Sequence, residues 1–487
     1  MLARIKSFLL ENKSAKQTVA KNTLWLSIGE VGSRALRAII VIVAARYLGA
    51  ERWGAFSYAI NLAAIFTILT DIGLSAILIR ETVHDPKMRG PYLSTAFFLR
   101  IILLAVGLII LLLAGPHFVS VAGVAVLLPI VGFMLVFDGL REFFFSLTRA
   151  SEKMEWEAGA KVLTNSLIAI LGVAFVVYRP TAASLSWSYL IGSALGFLFT
   201  LYILRKQLGE LFSHFTPSLI KPILTSAWPF ALAGIFSTIM INTDLFLLGF
   251  WRDAREIGLY SAALRPVGLL YMLPATFATA VFPALTRSAK DSEESFAHGF
   301  LTSIRFTIVG ALPFMIGGVL LASPLTVLLF GHDFADAAPM MAALLLTLIV
   351  AFPGAVIVNA LYATYKQKQI VWFIGIGATI NALLDILFIP RWGGTGSAFA
   401  TLIAQAIIMI PAWIFLARRH NFSVIPPGGR AVLASALVGV GVWICTLLQI
   451  PVLVTVAVGG VIYMIGLIAF KDSTLREITT LLKPRSS

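Results

Sequence analysis

The sequence predicts an all-α integral membrane protein of fourteen transmembrane helices, two parallel six-helix lobes followed by an appended C-terminal helix pair. Three observations predict it. The 487 residues are 59% hydrophobic and only 12% charged, with a mean hydropathy of +0.93. Apolar runs long enough to cross a bilayer follow one another from residue 22 to residue 470. Lysine and arginine concentrate in alternate connections between those runs. A helix needs about 20 apolar residues to cross a hydrocarbon core about 30 Å thick, so fourteen crossings with short loops leave no room for a sizeable soluble domain.

Residues 1–21 carry Arg4, Lys6, Lys13, Lys16 and Lys21 and read as a cytoplasmic amphipathic segment lying at the interface. The apolar run after it is too long for a signal-peptide core and is read as a retained first span. Spans are expected at 22–46, 54–79, 92–114, 119–148, 158–178 and 183–204 in the N-lobe (22–206). Those of the C-lobe (219–420) are expected at 224–250, 257–284, 300–322, 338–363, 369–389 and 395–417. The appended pair falls at 431–448 and 451–470, within 430–470, and a cytoplasmic tail covers 471–487.

The connections that include both termini hold 25 lysines and arginines, whereas the opposite set holds six: Arg46, Arg52, Arg179, Arg252, Arg255 and Arg391. The positive-inside rule therefore places both termini in the cytoplasm. The net charge of +14 is read as this loop bias and not as a nucleic-acid footprint. The single cysteine, Cys445, can form no internal disulfide.

Two short blocks repeat. Gly54 to Ala59 reads GAFSYA and Gly258 to Ala263 reads GLYSAA, an offset of 204 residues, and a Leu-Gly precedes each, Leu48-Gly49 and Leu248-Gly249. Six helices separate the copies, so the two lobes share one orientation about the membrane normal. Prolines inside or near the ends of spans, Pro266, Pro283, Pro313, Pro353 and Pro411 among them, suit helices that bend.

Several chemistries are excluded. No Gly-Lys dipeptide occurs, hence no Walker A loop. The six histidines lie in loops or at span ends with no HExxH pattern, so no metal site is expected. No catalytic residues and no cofactor are assigned, because no outer connection is long enough to carry an enzyme's acidic groups.

The charges inside the spans are the candidates for function. An ionised side chain at mid-bilayer costs about 2.5–3.5 kcal/mol on insertion scales and normally faces a partner or a water-filled cavity. Glu30, Arg34 and Arg37 share one stripe of the first span, and one glutamate cannot neutralise two arginines. Asp138, Arg141 and Glu142 share a face of the fourth span, where a structural network is the alternative. Asp71 and Arg265 follow the two repeat copies at comparable places. Asp244, Asp385, Arg100 and Arg305 lie nearer a membrane face, where snorkelling or local pairing is the default. Arginine suits pyrophosphate through its planar, permanently charged fork, and a buried carboxylate can titrate or hold Na⁺. Arg34, Arg37, Arg265 and Arg141 are therefore the candidate substrate-binding residues, and Glu30, Asp71, Asp138 and Asp244 the ion-coupling or charge-balancing ones. A cavity lined by Glu30, Arg34, Arg37, Asp71 and Arg265 is expected.

The blocks LGAERWGAFSYA (Leu48 to Ala59), DIGLSAILIRE (Asp71 to Glu81), EIGLYSAA (Glu256 to Ala263), LLFGHDFADAAPMM (Leu328 to Met341) and IPRWGGTGSAFA (Ile389 to Ala400) closely resemble the polysaccharide-biosynthesis, or O-antigen, flippases of the multidrug/oligosaccharidyl-lipid/polysaccharide exporter superfamily. The resemblance implies an exporter that opens alternately to either side and moves an undecaprenyl-pyrophosphate-linked oligosaccharide across the inner membrane, coupled to H⁺ or Na⁺. Membrane lipids, a glycan polymerase and glycosyltransferases are the implied partners, and nucleic acid is not. A lipid II flippase and a cation-coupled drug exporter of the same superfamily are the alternatives. The lipid II flippase has arginines on its first, second and eighth helices, whereas the second span here offers Asp71, with Arg80 only at its end. Drug exporters typically have 12 helices and acidic cavities. A non-transporting scaffold of a glycan-assembly complex, its charges only holding helices together, is the reading from a different class.

Overall fold

The computed structural model describes residues 11–12, 14–66, 70, 73–74, 77–78, 88–206, 208–423 and 428–472. Asp71 and Arg80 lie outside these residues. Among the described residues every regular element is an α-helix or a short 3₁₀ turn, as the apolar composition predicts. The chain divides into two compact units, Met1–Gly258 and Leu259–Ser487.

In the first unit α1 (Ala15–Phe66), α2 (Arg89–Ala114), α3 (Leu128–Ala150), α4 (Met154–Tyr178), α5 (Ala182–Leu204), the short α6 (Leu208–Ser213) and α7 (Ile220–Trp251) follow in order. Helix α1 packs most extensively on α4 and also meets α3, α5 and α7. It bends at Gly49 (φ 74°, ψ 171°), a left-handed conformation that a side chain would strain, and the expected spans 22–46 and 54–79 begin on the two sides of that bend. Thr181 starts α5 by accepting a hydrogen bond from the Ser184 amide, which satisfies one of the orphan donors at the helix end. An aromatic cluster of Phe97, Phe143 and Phe144, with centroids 5.7–6.0 Å apart, joins α2 to α3.

The division between the units falls inside α8 (Ala254–Leu270). In the second unit α9 (Met272–Asp291), α10 (Glu293–Leu320), α11 (Ala322–Phe330), α12 (Ala338–Leu346), α13 (Leu348–Ala363), α14 (Gln367–Arg419), α15 (Gly429–Leu447) and α16 (Val452–Ala469) follow. Helix α14 bends at Gly393 (φ 57°, ψ −139°), between the expected spans 369–389 and 395–417. The last two helices pack on each other and on α10, where the Tyr463 hydroxyl donates to the Val309 carbonyl at 2.6 Å.

Ten segments among the described residues are long and apolar enough to cross a membrane, including Arg89–Phe118 and the 51-residue Gln369–Arg419. The outward faces are apolar too: Ile109 of α2 is 54% exposed and Leu453 of α16 is 70% exposed. Only lipid removes such surfaces from water, so the chain is a multi-pass membrane protein. Connections expected on one side of the membrane meet one another. Arg52 donates to the Pro180 carbonyl at 2.8 Å, joining two connections of the arginine-poor set. Lys21 pairs with Glu155 at 3.0 Å, joining two of the basic set.

Candidate functional site

The charged stripe of α1 lies against α4. Arg34 Nε donates to Glu30 Oε1 at 2.6 Å, the favourable i, i+4 order on a helix. The other carboxylate oxygen of Glu30 faces Lys161 Nζ of α4 at 3.7 Å. Lys161 also pairs with Glu157 one turn earlier at 2.9 Å, and Glu157 accepts from Arg149 at 2.6 and 2.8 Å. Arg149 then reaches Glu142 at 2.8 Å. Along this chain of contacts the cations Arg34, Lys161 and Arg149 alternate with the carboxylates Glu30, Glu157 and Glu142. The run balances, and this explains how Glu157 can be fully buried in an apolar bundle.

Arg37 stands outside that balance. Its Nε and one terminal nitrogen donate to Asn165 Oδ1 of α4, at 3.3 and 3.2 Å. Among the described residues no carboxylate lies within ion-pair distance of it, so a neutral amide holds an exposed guanidinium that Glu30 attracts only from longer range. An unbalanced fork of this kind can take an oxyanion with two parallel hydrogen bonds.

Arg141 and Asp138 pair with each other on α3 at 2.8 Å. The two nitrogens Nε and Nη1 of Arg141 are buried, and among the described residues they have no hydrogen-bond partner. The ring of Phe145 connects the regions: Arg141 Cζ lies 6.0 Å and Lys161 Nζ 5.7 Å from its centroid, within cation–π range. Asp244 is buried on α7, two residues after Asn242, whose Oδ1 accepts from Asn61 of α1 at 2.9 Å. Arg265 is exposed on α8 in the second unit. Asp385, a weaker candidate by sequence, is fully buried in α14 and accepts from Ser397 at 2.9 Å across the bend at Gly393.

Sequence reasoning misses four residues of this network. The tally of loop cations includes Lys161 although the expected span 158–178 contains it; α4 starts at Met154 and carries Lys161 two turns into the helix. Glu157, Lys161 and Asn165 are spaced by four residues and form one stripe, a signal as legible as that of Glu30, Arg34 and Arg37. Arg149 reads in the sequence as an ordinary end-of-span cation, whereas it bridges Glu142 and Glu157.

Known proteins resemble the chain over most of its length. It is 24% identical over 332 residues to a Shigella flexneri protein named for O-antigen transport, covering 65% of this chain and 78% of that one. It is 23% identical over 371 residues to the succinoglycan biosynthesis transport protein ExoT of Rhizobium meliloti, covering 74% and 72%. In structure it is similar to the lipid II flippase MurJ in an inward closed conformation, with a TM-score of 0.73 over 92% of this chain and 99% of that one at 20% identity. A multidrug resistance MATE transporter in an inward-facing conformation gives a TM-score of 0.66 over 82% and 98% at 14% identity. At those identities the structural likeness establishes the transporter fold alone. Residues 19–289, more than half of the chain, match the model of the family described as polysaccharide biosynthesis protein, and the chain belongs to that family.

Proposed function

We propose that the protein is a flippase that carries an undecaprenyl-pyrophosphate-linked oligosaccharide, an O-antigen or related surface-glycan unit, across the cell inner membrane by ion-coupled alternating access. The observation that carries the reading is Arg37, an exposed guanidinium held by an amide beside a charge-balanced network. Mid-membrane charge of this kind is retained for a ligand or a water-filled path. The names of the relatives, one for O-antigen and one for succinoglycan transport, support the cargo class.

In this reading Arg34, Arg37, Arg141 and Arg265 serve the pyrophosphate. Glu30, Asp71, Asp138 and Asp244 balance charge or couple H⁺ or Na⁺. The lobes 22–206 and 219–420 alternate in access, and both termini are cytoplasmic. A glycan polymerase and glycosyltransferases work on the same lipid-linked unit on either side of the step. Deletion of the gene in its own host tests this: one surface glycan should disappear while its lipid-linked precursor accumulates on the cytoplasmic leaflet. Unchanged surface glycans with no accumulating precursor would overturn it.

A further inference from the structure

The pairing of Arg37 with Asn165 does more than place an arginine near a cargo. A carboxylate in the position of Asn165 would neutralise Arg37 and compete with an anionic ligand, as Glu30 does for Arg34. The side chain found there is instead a neutral acceptor, 5% exposed and itself fixed. Its Nδ2 donates to the Lys161 carbonyl at 2.8 Å. A carbonyl only accepts, so the amide nitrogen must face Lys161 and the oxygen must face Arg37. Both donors that Arg37 spends on Asn165, its Nε and one terminal nitrogen, lie on the same edge of the guanidinium. Among the described residues no side chain or carbonyl accepts from the other terminal nitrogen.

We infer that Asn165 is a positioning residue for anion recognition: it orients the Arg37 fork without neutralising it, and so sets the affinity of the flippase for the pyrophosphate of its cargo. The inference rests on the flippase reading above and assigns a role to a residue that never needs to touch the substrate. It separates the two arginines of the stripe. Arg34 is ion-paired to Glu30, whereas Arg37 is held by a neutral amide.

Substitutions at Asn165 can be read cleanly because they leave the helix intact. The Lys161 carbonyl, without Nδ2, still sits inside α4, where the helix's own backbone hydrogen bonds remain. The exposed Arg37, without Oδ1, can turn to solvent. Asn165→Asp is nearly isosteric and adds an ion pair to Arg37, but it sets its second oxygen against the Lys161 carbonyl that Nδ2 now bonds.

The test uses the full chain in lipid nanodiscs with farnesyl pyrophosphate as the probe, binding by calorimetry, and the apparent melting temperature of each variant. Arg37→Ala should weaken binding. Asn165→Asp should weaken it by about tenfold, the equivalent of one charge-assisted hydrogen bond, and should lose that effect once Arg37 is already alanine. Asn165→Ala should weaken binding in the wild-type background and add nothing once Arg37 is already alanine. A merely structural role would lower stability and binding together and would cost the same in both backgrounds. If Arg37→Ala binds like wild type, the anion role of Arg37 fails and the positioning role of Asn165 falls with it. If Arg37→Ala weakens binding but both Asn165 variants bind like wild type, or Asn165→Ala costs as much in the Arg37→Ala background, the positioning role alone is overturned.

Discussion

Gly54 and Gly258, the first residues of the two repeated blocks, meet backbone to backbone. A Cβ on Gly54 would lie 1.7 Å from the Ala254 carbonyl oxygen, and one on Gly258 would lie 1.8 Å from that of Ala50. The approach is reciprocal: each glycine faces the residue four positions before the other. Such symmetry is what two copies of one ancestral helical segment would produce, and it gives the GAFSYA/GLYSAA repeat a physical reason, since only glycine lets these two helices approach so closely.

Gly54→Ala and Gly258→Ala should each force the helices apart. Overpacking of a tight interface costs about 1–3 kcal/mol. The variants should show a lower apparent melting temperature in detergent and a reduced folded yield, and Gly234→Ala, where an added Cβ meets nothing within 4 Å, should not.

The buried Glu157 makes the network at α3 and α4 a structural hazard if a partner is removed. Arg149→Met leaves a fully buried Glu157 with Lys161 alone, without the two hydrogen bonds from Arg149. Arg149→Met should therefore destabilise the protein more than the double substitution Arg149→Met/Glu157→Gln, which removes the under-compensated charge as well. Thermal unfolding of wild type and both variants in one detergent checks the order.

His420, just past the end of α14, packs on Phe296 with centroids 4.6 Å apart. Burial, the largest influence, pushes its imidazole below the ordinary histidine range; Arg419 and Lys366 act the same way, and Glu293 opposes them. A histidine whose folded pKa is depressed contributes stability that is complete above the unfolded value of about 6.5 and is lost as pH falls toward the folded value. The melting temperature should thus begin to drop as pH falls below about 6.5, and His420→Phe should drop less. An equal drop in both proteins would assign the acid sensitivity to other groups.

The helical class and the membrane setting are legible in composition and spacing, because lipid forces every backbone group into a helix and leaves the hydrophobic runs unbroken. The pairing of Glu30 with Arg34 is legible because helical spacing alone brings them together. Arg37 stands out in the sequence because one glutamate cannot serve both arginines. Its actual partner, Asn165, lies 128 residues away on α4, and a neutral amide in an apolar run gives no signal by charge. Counting lysines by connection misplaces Lys161, because such a count treats a cation near a span end as loop, whereas buried Glu157 and the half-exposed Glu30 hold it inside the helix.

The same asymmetry between Arg34 and Arg37 separates their expected phenotypes. Arg34 shares Glu30 with Lys161, so Arg34→Ala leaves Glu30 with the 3.7 Å pairing alone and should lower folded abundance before it alters transport. Arg37→Ala leaves no carboxylate stranded and should accumulate normally. If its fork holds pyrophosphate, removing each charge-assisted hydrogen bond should weaken binding by about 1.5–3 kcal/mol, roughly ten- to hundredfold. Lysine should substitute poorly, because a point charge keeps the attraction but not the two parallel hydrogen bonds. Complementation of surface-glycan export by Arg37→Ala and Arg37→Lys at matched membrane abundance reads this directly, with export falling in the order wild type, lysine, alanine. Full export by both variants would remove Arg37 from the pyrophosphate path and return the stripe to a purely structural role.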